Sequence, residues 1–336
     1  MGVYIKNVAS TSYAETLSVE GSTSGNLGID KVTIVAQVSE SDLVHYENYR
    51  KTIHFAKEAG FDVTWDGRAR ANGYRNSARI SIKGCPAKDR PLLQFDPYNK
   101  KQGFLRLEFN PNRLGSQGIW DLKTWMDFTS PHGWPAMREW GRVTRIDVNL
   151  DFPIPIQQYI WDSRYSVTRE RFLANGRQES IYLGKKEWGK GYTKIYDWNA
   201  CHDQFALAPK TRVERKHIPD CGLKALPQMS NPFQGMRAYR MFIPPFKGYT
   251  FGMWQLYLEH LSKVGLRNGL FSFDISERSA IRQYVKSHQA TELDFKGVWE
   301  SWPDVVDELG LSSPGPHGPK IPFIDASVPK DLLGQA

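Results

Sequence analysis

The chain has 336 residues, 40% hydrophobic and 13% aromatic, enough apolar material for one large folded domain or a catalytic domain with a smaller companion; a disordered chain is excluded. Lys and Arg outnumber Asp and Glu by a net +8, a balance that suits a phosphate polymer as partner without identifying one. No run of eighteen apolar residues occurs and no charged segment followed by an apolar run opens the chain, so a soluble cytoplasmic protein that meets no membrane is expected.

Residues 1–28, rich in Ser, Thr and Gly, read as an N-terminal arm, and the core starts at Ile29. Period-two runs bounded by Gly, Pro and Asn predict strands at Lys31–Val38, Ala78–Lys83, Phe104–Asn110, Val143–Phe152, Ser180–Gly184, Tyr192–Trp198 and Thr211–Lys216. Helices are predicted over Ser41–Ala59, Gly118–Trp140 and Ile156–Ala174. The pattern is α+β: a mostly antiparallel central sheet with helices on one face, spanning residues 29–220. After Pro219 the composition shifts, and residues 221–311 read as a helical accessory region with helices at Met253–Val264, Ser276–Ser287 and Val298–Leu309. Residues 312–336, rich in Pro and Gly, read as an extended or disordered tail.

The three cysteines, Cys85, Cys201 and Cys221, are unevenly spaced and form no CxxC pair, so reduced thiols are expected. The eight histidines are scattered, with no His-hydrophobic-His triplet. Metal binding through paired histidines is therefore not expected.

Alternation along strands gives the chemistry. Leu105, Leu107 and Phe109 point one way, and Arg106, Glu108 and Asn110 the other. Arg145, Asp147, Asn149 and Asp151 oppose Ile146, Val148 and Leu150, and Arg212 and Glu214 oppose Val213. Three strands thus each carry an Arg followed two residues later by a carboxylate. Clustered, they would make an acidic pocket ringed by guanidinium groups, suited to a hard divalent cation and to phosphate oxygens. Taken strand by strand, routine cross-strand ion pairs explain the same pattern. Tyr192, Lys194 and Tyr196 share a face of another strand, and a tyrosine beside cations can serve as a nucleophile once its phenol ionises.

The order of segments Ile82-Lys-Gly-Cys-Pro-Ala-Lys88, Leu105-Arg-Leu-Glu-Phe-Asn-Pro111, Val143-Thr-Arg-Ile-Asp-Val-Asn-Leu-Asp151, Ile181-Tyr-Leu-Gly184, Lys194-Ile-Tyr-Asp197 and Thr211-Arg-Val-Glu214 resembles the rolling-circle replication initiators of filamentous phages and the related trans-acting plasmid initiators. The resemblance covers Ile29–Lys216. It implies a relaxase-like nicking domain, a bound Mg²⁺ or Mn²⁺, and a tyrosine that becomes joined to the 5′ end of a nicked DNA strand. Carried over, Tyr196 is the nucleophile with Lys194 beside it. Asp147, Glu108 and Glu214, with Asp151, are metal or phosphate-organising carboxylates. The implied partners are single-stranded or hairpin origin DNA, with host helicase and polymerase, in a bacterial host cytoplasm. The chain departs from the pattern after Asp197, where relatives often carry Lys and this sequence has Trp198; Lys194 or Lys190 could supply the missing cation.

Arg106, Arg145 and Arg212, with Tyr192, are expected to contact DNA. So is the basic hairpin Lys185-Lys-Glu-Trp-Gly-Lys-Gly191, through Lys185, Lys186 and Lys190, although a solvated turn reads equally well. The basic stretch Arg68–Arg75 could grip duplex or hairpin DNA, and Arg278, Arg282 and Lys286 would make one helical stripe, more simply read as a solvated face.

Overall fold

The computed structural model describes residues 25–315 apart from 39–42, 44–45, 47–48, 58–59, 68–72, 100, 131, 165–168, 175–176, 185–191 and 203–207, and only the backbone of 169–174 and 177–179. The basic hairpin with Lys185, Lys186 and Lys190, most of the Arg68–Arg75 stretch, and most of the expected arm and tail lie outside the described residues.

Ten strands form the main path of the described sheet: β1 (Asn26–Ala36), β2 (Val63–Trp65), β3 (Tyr74–Ile80), β4 (Leu92–Pro97), β5 (Leu105–Phe109), β6 (Gly141–Phe152), β8 (Arg169–Ala174), β9 (Arg177–Leu183), β10 (Thr193–Asp197) and β11 (Thr211–His217). Their order across the sheet is β2-β3-β4-β5-β1-β6-β11-β10-β9-β8, with the short β12 (Cys221–Gly222) also on β6, and every pairing is antiparallel. The two halves share one layout. Each begins with a central strand, β1 or β6, leaves the sheet, and returns through four strands that walk from the edge back to that central strand. The α+β, mostly antiparallel architecture read from the sequence is therefore the one observed.

Alternation explains the layering. On β6, Ile146, Val148, Leu150 and Phe152 are fully buried. They share a core with Ile119, Leu122, Trp125 and Met126 of α2 (Pro111–Thr129) and with Trp134 and Met137 of α3 (Gly133–Trp140), each large apolar side chain contributing ~1.5–3 kcal/mol. A third helix, α1 (Tyr49–Ala56), adds Tyr49 and Ile53 to the same core.

One helix was expected over Gly118–Trp140, and two are found. Asn110 caps α2 by accepting from the Arg113 N–H, with Pro111 at the first helical position. The break follows Thr129. Gly133 opens α3 at φ 60, and a Cβ there would lie 2.4 Å from Asp127 Oδ1, the atom that accepts from the Trp134 N–H at 2.6 Å.

The helix expected over Ile156–Ala174 is corrected. A short 3-10 turn at Ile156–Gln158 leads into β7 (Tyr159–Ser163), and β8 follows. The reason is tertiary: β7 pairs with β13 (Met236–Arg240), a strand remote in sequence, and its aromatic and β-branched residues suit that pairing.

Around this two-stranded ribbon a second apolar cluster joins Ile160 and Tyr239 to Trp254, Leu258 and Leu261 of α4 (Phe251–Val264), to Leu266 of α5 (Leu266–Gly269), and to Ile281 and Val285 of α6 (Arg278–Ser287). Downstream of α7 (Phe295–Glu300), α8 (Trp302–Glu308) returns to the main core through Trp302 and Val306. The end of the described chain is clamped there. Lys123 Nζ, on α2, donates to Gly310 O, Ser313 O and Ser313 Oγ at 2.5, 2.9 and 2.8 Å. Burial pushes the Lys123 ammonium down to about 8. Among the described residues no helix is long and apolar enough to cross a membrane, and no disulfide links Cys85, Cys201 and Cys221.

Candidate functional site

The face of the sheet opposite α2 and α3 carries the polar side chains, and antiparallel register sorts them into rows. Asp151, Arg212 and Tyr196 form one row across β6, β11 and β10. Gly28, Asn149, Glu214, Lys194 and Tyr182 form the next. Lys31, Asp147 and Lys216 make a third, and Glu108, Thr33 and Arg145 a fourth.

β1 carries a bulge between Ile29 and Lys31. Before it, Asn26 and Gly28 face this side; after it, Lys31 and Thr33 do. The extra residue is Asp30, which reaches Arg212 Nη1 at 3.2 Å. Strict alternation sets Asp30 and Lys31 on opposite faces, so alternation alone does not single out Asp30.

Arg212 is the hub of the first row. Its Nε and Nη2 donate to Asp151 at 2.6 and 2.8 Å, a paired grip a lysine could not reproduce, and Lys210 Nζ adds a 2.8 Å ion pair to the same carboxylate. Tyr196 is 6% exposed, and Lys194 Nζ sits 3.9 Å from its ring centroid. Burial pushes the Tyr196 phenol above its usual range, and the Glu214 carboxylate pushes it further; Arg212 opposes both without prevailing. Desolvation and the carboxylates outweigh the neighbouring protein cations at this phenol.

Glu214 differs from every other acid on this face. Burial raises its carboxyl above the usual range, Asp30 and Asp147 add to that, and Lys194 and Arg212 only partly compensate. Among the described residues no hydrogen bond or ion pair reaches its carboxylate. Asn149, its neighbour in register, is 1% exposed and leaves Nδ2 without a hydrogen-bond partner.

The remaining candidates are already satisfied. Arg145 grips Asp147 at 2.8 and 2.5 Å. Glu108 accepts from Lys31 Nζ at 2.8 Å, Arg106 Nη2 at 2.6 Å and Thr33 Oγ1 at 3.3 Å, and Arg106 also reaches Gln94 at 2.5 Å. Burial works to raise the Glu108 carboxyl, but Lys31 and Arg106 outweigh it and hold it below its usual range. The structure therefore brings Tyr196, Lys194, Arg212, Asp151 and Glu214 together, sets Asp147 within electrostatic reach, and leaves Glu108 in a separate ion-pair lattice with Arg106.

Among the described residues no three His, Cys, Asp or Glu side chains already gather as a metal centre. The chemistry of the donors nonetheless fits a hard cation. Glu214 and its acidic neighbours Asp30 and Asp147 carry oxygen donors whose mutual repulsion a divalent ion would relieve.

Trp198, standing where a cation was expected, stacks on His202 with ring centroids 4.0 Å apart and carries Lys210 Nζ 4.3 Å from its own centroid. Two cations therefore stand near this strand: Lys194 over the Tyr196 ring and Lys210, just before β11, over Trp198. The other three tyrosine-strand features sit together as expected from alternation: Tyr192, Lys194 and Tyr196 share the polar side, and Tyr192 lies against Tyr182.

No protein-family model matches the chain, and neither does any curated protein. Among solved structures it is similar to one titled Structure of Rolling Circle Replication Initiator Protein from Geobacillus stearothermophilus, at 11% identity and a TM-score of 0.37, over 71% of this chain and 98% of that one.

Proposed function

We propose that the chain is a site- and strand-specific DNA nicking and joining enzyme that starts rolling-circle replication of a phage or plasmid genome. The observation that carries this reading is the grouping of Tyr196, Arg212 and the unpaired, high-pKa Glu214 on one sheet face, in the segment order of such initiators. Tyr196 Oη attacks the scissile phosphorus, the bond from phosphorus to the 3′ oxygen breaks, and a 5′-phosphotyrosine and a free 3′ hydroxyl result. The phenol proton passes to solvent; Glu214, whose carboxylate is the strongest charge acting on Tyr196, opposes that loss until a bound cation screens it. The leaving 3′ oxygen takes up a proton, and the reverse sequence rejoins the strand. Arg212 and Lys210 hold phosphate oxygens, with Asp151 fixing both cations. Arg106 and Arg145 line the DNA path.

Mg²⁺ or Mn²⁺, when bound, would withdraw charge from the phosphate. Glu214 would hold it, with Asp30, Asp147, Asp151 and Glu108 ligands only if they release their cations. The partners are single-stranded or hairpin origin DNA, with host helicase and polymerase extending the 3′ end in a bacterial cytoplasm.

The test is incubation with labelled single-stranded origin DNA and Mg²⁺ or Mn²⁺, followed by denaturing electrophoresis. An SDS-stable adduct that disappears in Tyr196→Phe supports the reading; an adduct that persists in that variant moves the nucleophile to Tyr192 or Tyr182. One observation favours a second reading: Tyr196 is nearly buried and its phenol resists ionisation, as it would if water were the nucleophile and the tyrosine only packed. Cleavage with neither adduct nor rejoining identifies that case, and binding with no cleavage under any divalent metal identifies a DNA-binding regulator.

A further inference from the structure

Two tyrosines on the polar face have no part in the chemistry above. Tyr182 on β9 stands directly opposite Lys194, and Tyr192 precedes β10 on the side shared by Lys194 and Tyr196. Their rings stack with centroids 5.7 Å apart and an interplanar angle of 23°. Both are half-buried, whereas Tyr196 is 6% exposed. The stacked pair therefore stands at the rim of the site, with Lys194 between it and the nucleophile.

We infer that Tyr182 and Tyr192 are a stacking platform for one unpaired base of the DNA strand whose phosphate is held at Tyr196. This inference rests on the proposed nicking function and specifies its substrate. Four residues of strand separate Tyr192 from Tyr196, about 13 Å at ~3.3 Å per residue. That span holds two extended nucleotides or, at ~3.4 Å per stacked step, up to four. Stacking on an aromatic ring takes a base whose face is free, so the platform selects single strands over duplex. Lys194, between ring pair and nucleophile, is placed to hold the intervening phosphate.

The experiment measures binding of a fluorescein-labelled oligothymidylate, and of an abasic oligomer of equal length, by anisotropy without divalent metal. The wild type prefers the base-bearing oligomer. Substituting Tyr182→Ala and Tyr192→Ala together weakens binding of that oligomer about 5- to 150-fold, the equivalent of one stacked base, and leaves the abasic oligomer unaffected. Tyr192→Phe and Tyr192→Trp, which keep an aromatic face, retain the preference. Equal binding of both oligomers by the wild type overturns the platform, as does a folded double-alanine variant that still prefers bases, or a loss in Tyr192→Phe as large as in Tyr192→Ala. If the alanine variants fail to fold, the wild-type comparison and the Phe and Trp variants decide. Each of these outcomes is independent of adduct formation at Tyr196: an intact adduct with no base preference removes the platform alone, and base preference with no adduct removes the nicking reading alone.

Discussion

The two halves of the sheet carry the same three-residue pattern in equivalent places, with opposite results. Arg106-Leu-Glu108 lies on β5 and Arg212-Val-Glu214 on β11, each strand closing its half against the central β1 or β6. Gln94 faces Arg106 where Tyr196 faces Arg212. Val35 faces Arg106 where Asp151 faces Arg212, and Thr33 faces Glu108 where Asn149 faces Glu214. With no acid to hold it, Arg106 turns to Glu108, and with Lys31 it satisfies that carboxylate. Asp151 instead claims Arg212, and Glu214 is left among other acids. The carboxylate is matched in one half, where Glu108 meets Lys31 and Arg106, and unmatched in the other, where Glu214 stands among acids. Unmatched buried polar groups cost about 1–3 kcal/mol each, and a fold retains them chiefly where chemistry uses them.

The strongest way to break this comparison is at its single most unequal position. Tyr196→Phe should lower strand joining by ~10³-fold or more and remove the denaturant-stable adduct, while Gln94→Leu, the matching change, should leave an adduct in place. Next come the paired acids. Glu214→Gln should slow nicking about 10²- to 10³-fold and Glu108→Gln by roughly tenfold or less, read from single-turnover cleavage; equal losses would mean that the two halves act alike.

Stability should order the same pair in reverse. Glu108→Gln leaves Lys31 and Arg106 without their anion and should cost about 1–2 kcal/mol. Glu214→Gln should be neutral or stabilising without metal, and Mn²⁺ should raise the melting temperature of the wild type more than that of this variant.

The smallest effect is in pH dependence. Glu214 has a folded pKa above its unfolded value, so it contributes stability that is complete below the unfolded pKa of about 4.5 and lost as pH rises through the folded one. Glu108 has a lowered folded pKa, so its contribution is present above about 4.5 and lost as pH falls through the folded value. Thermal melts of the two Gln variants across mildly acidic pH should therefore diverge from wild type in opposite directions, and parallel curves would defeat the assignment.

Much of this was legible in the sequence, and the limit has a physical form. Alternation showed which face Arg106, Glu108, Asp147, Asp151, Arg212 and Glu214 would occupy, because side-chain direction is local. Which of them would meet depends on register between strands far apart in the chain, so Glu108 and Glu214 looked equivalent. Tyr159–Ser163 read as helix because its partner β13 is distant. Lys210 was overlooked because it precedes its strand, and Asp30 because a bulge broke the rule used to find its neighbours.

That bulge has a further consequence. It is a half-period phase slip in one strand: upstream of Asp30, β1 is in phase with the tyrosine half of the sheet, and downstream it is in phase with the Glu108 half. A single strand thereby serves two reading frames of side chains at once. Deleting one residue there would not shorten the strand so much as force a choice of frame, turning either Asn26 and Gly28 or Lys31 and Thr33 into the apolar layer.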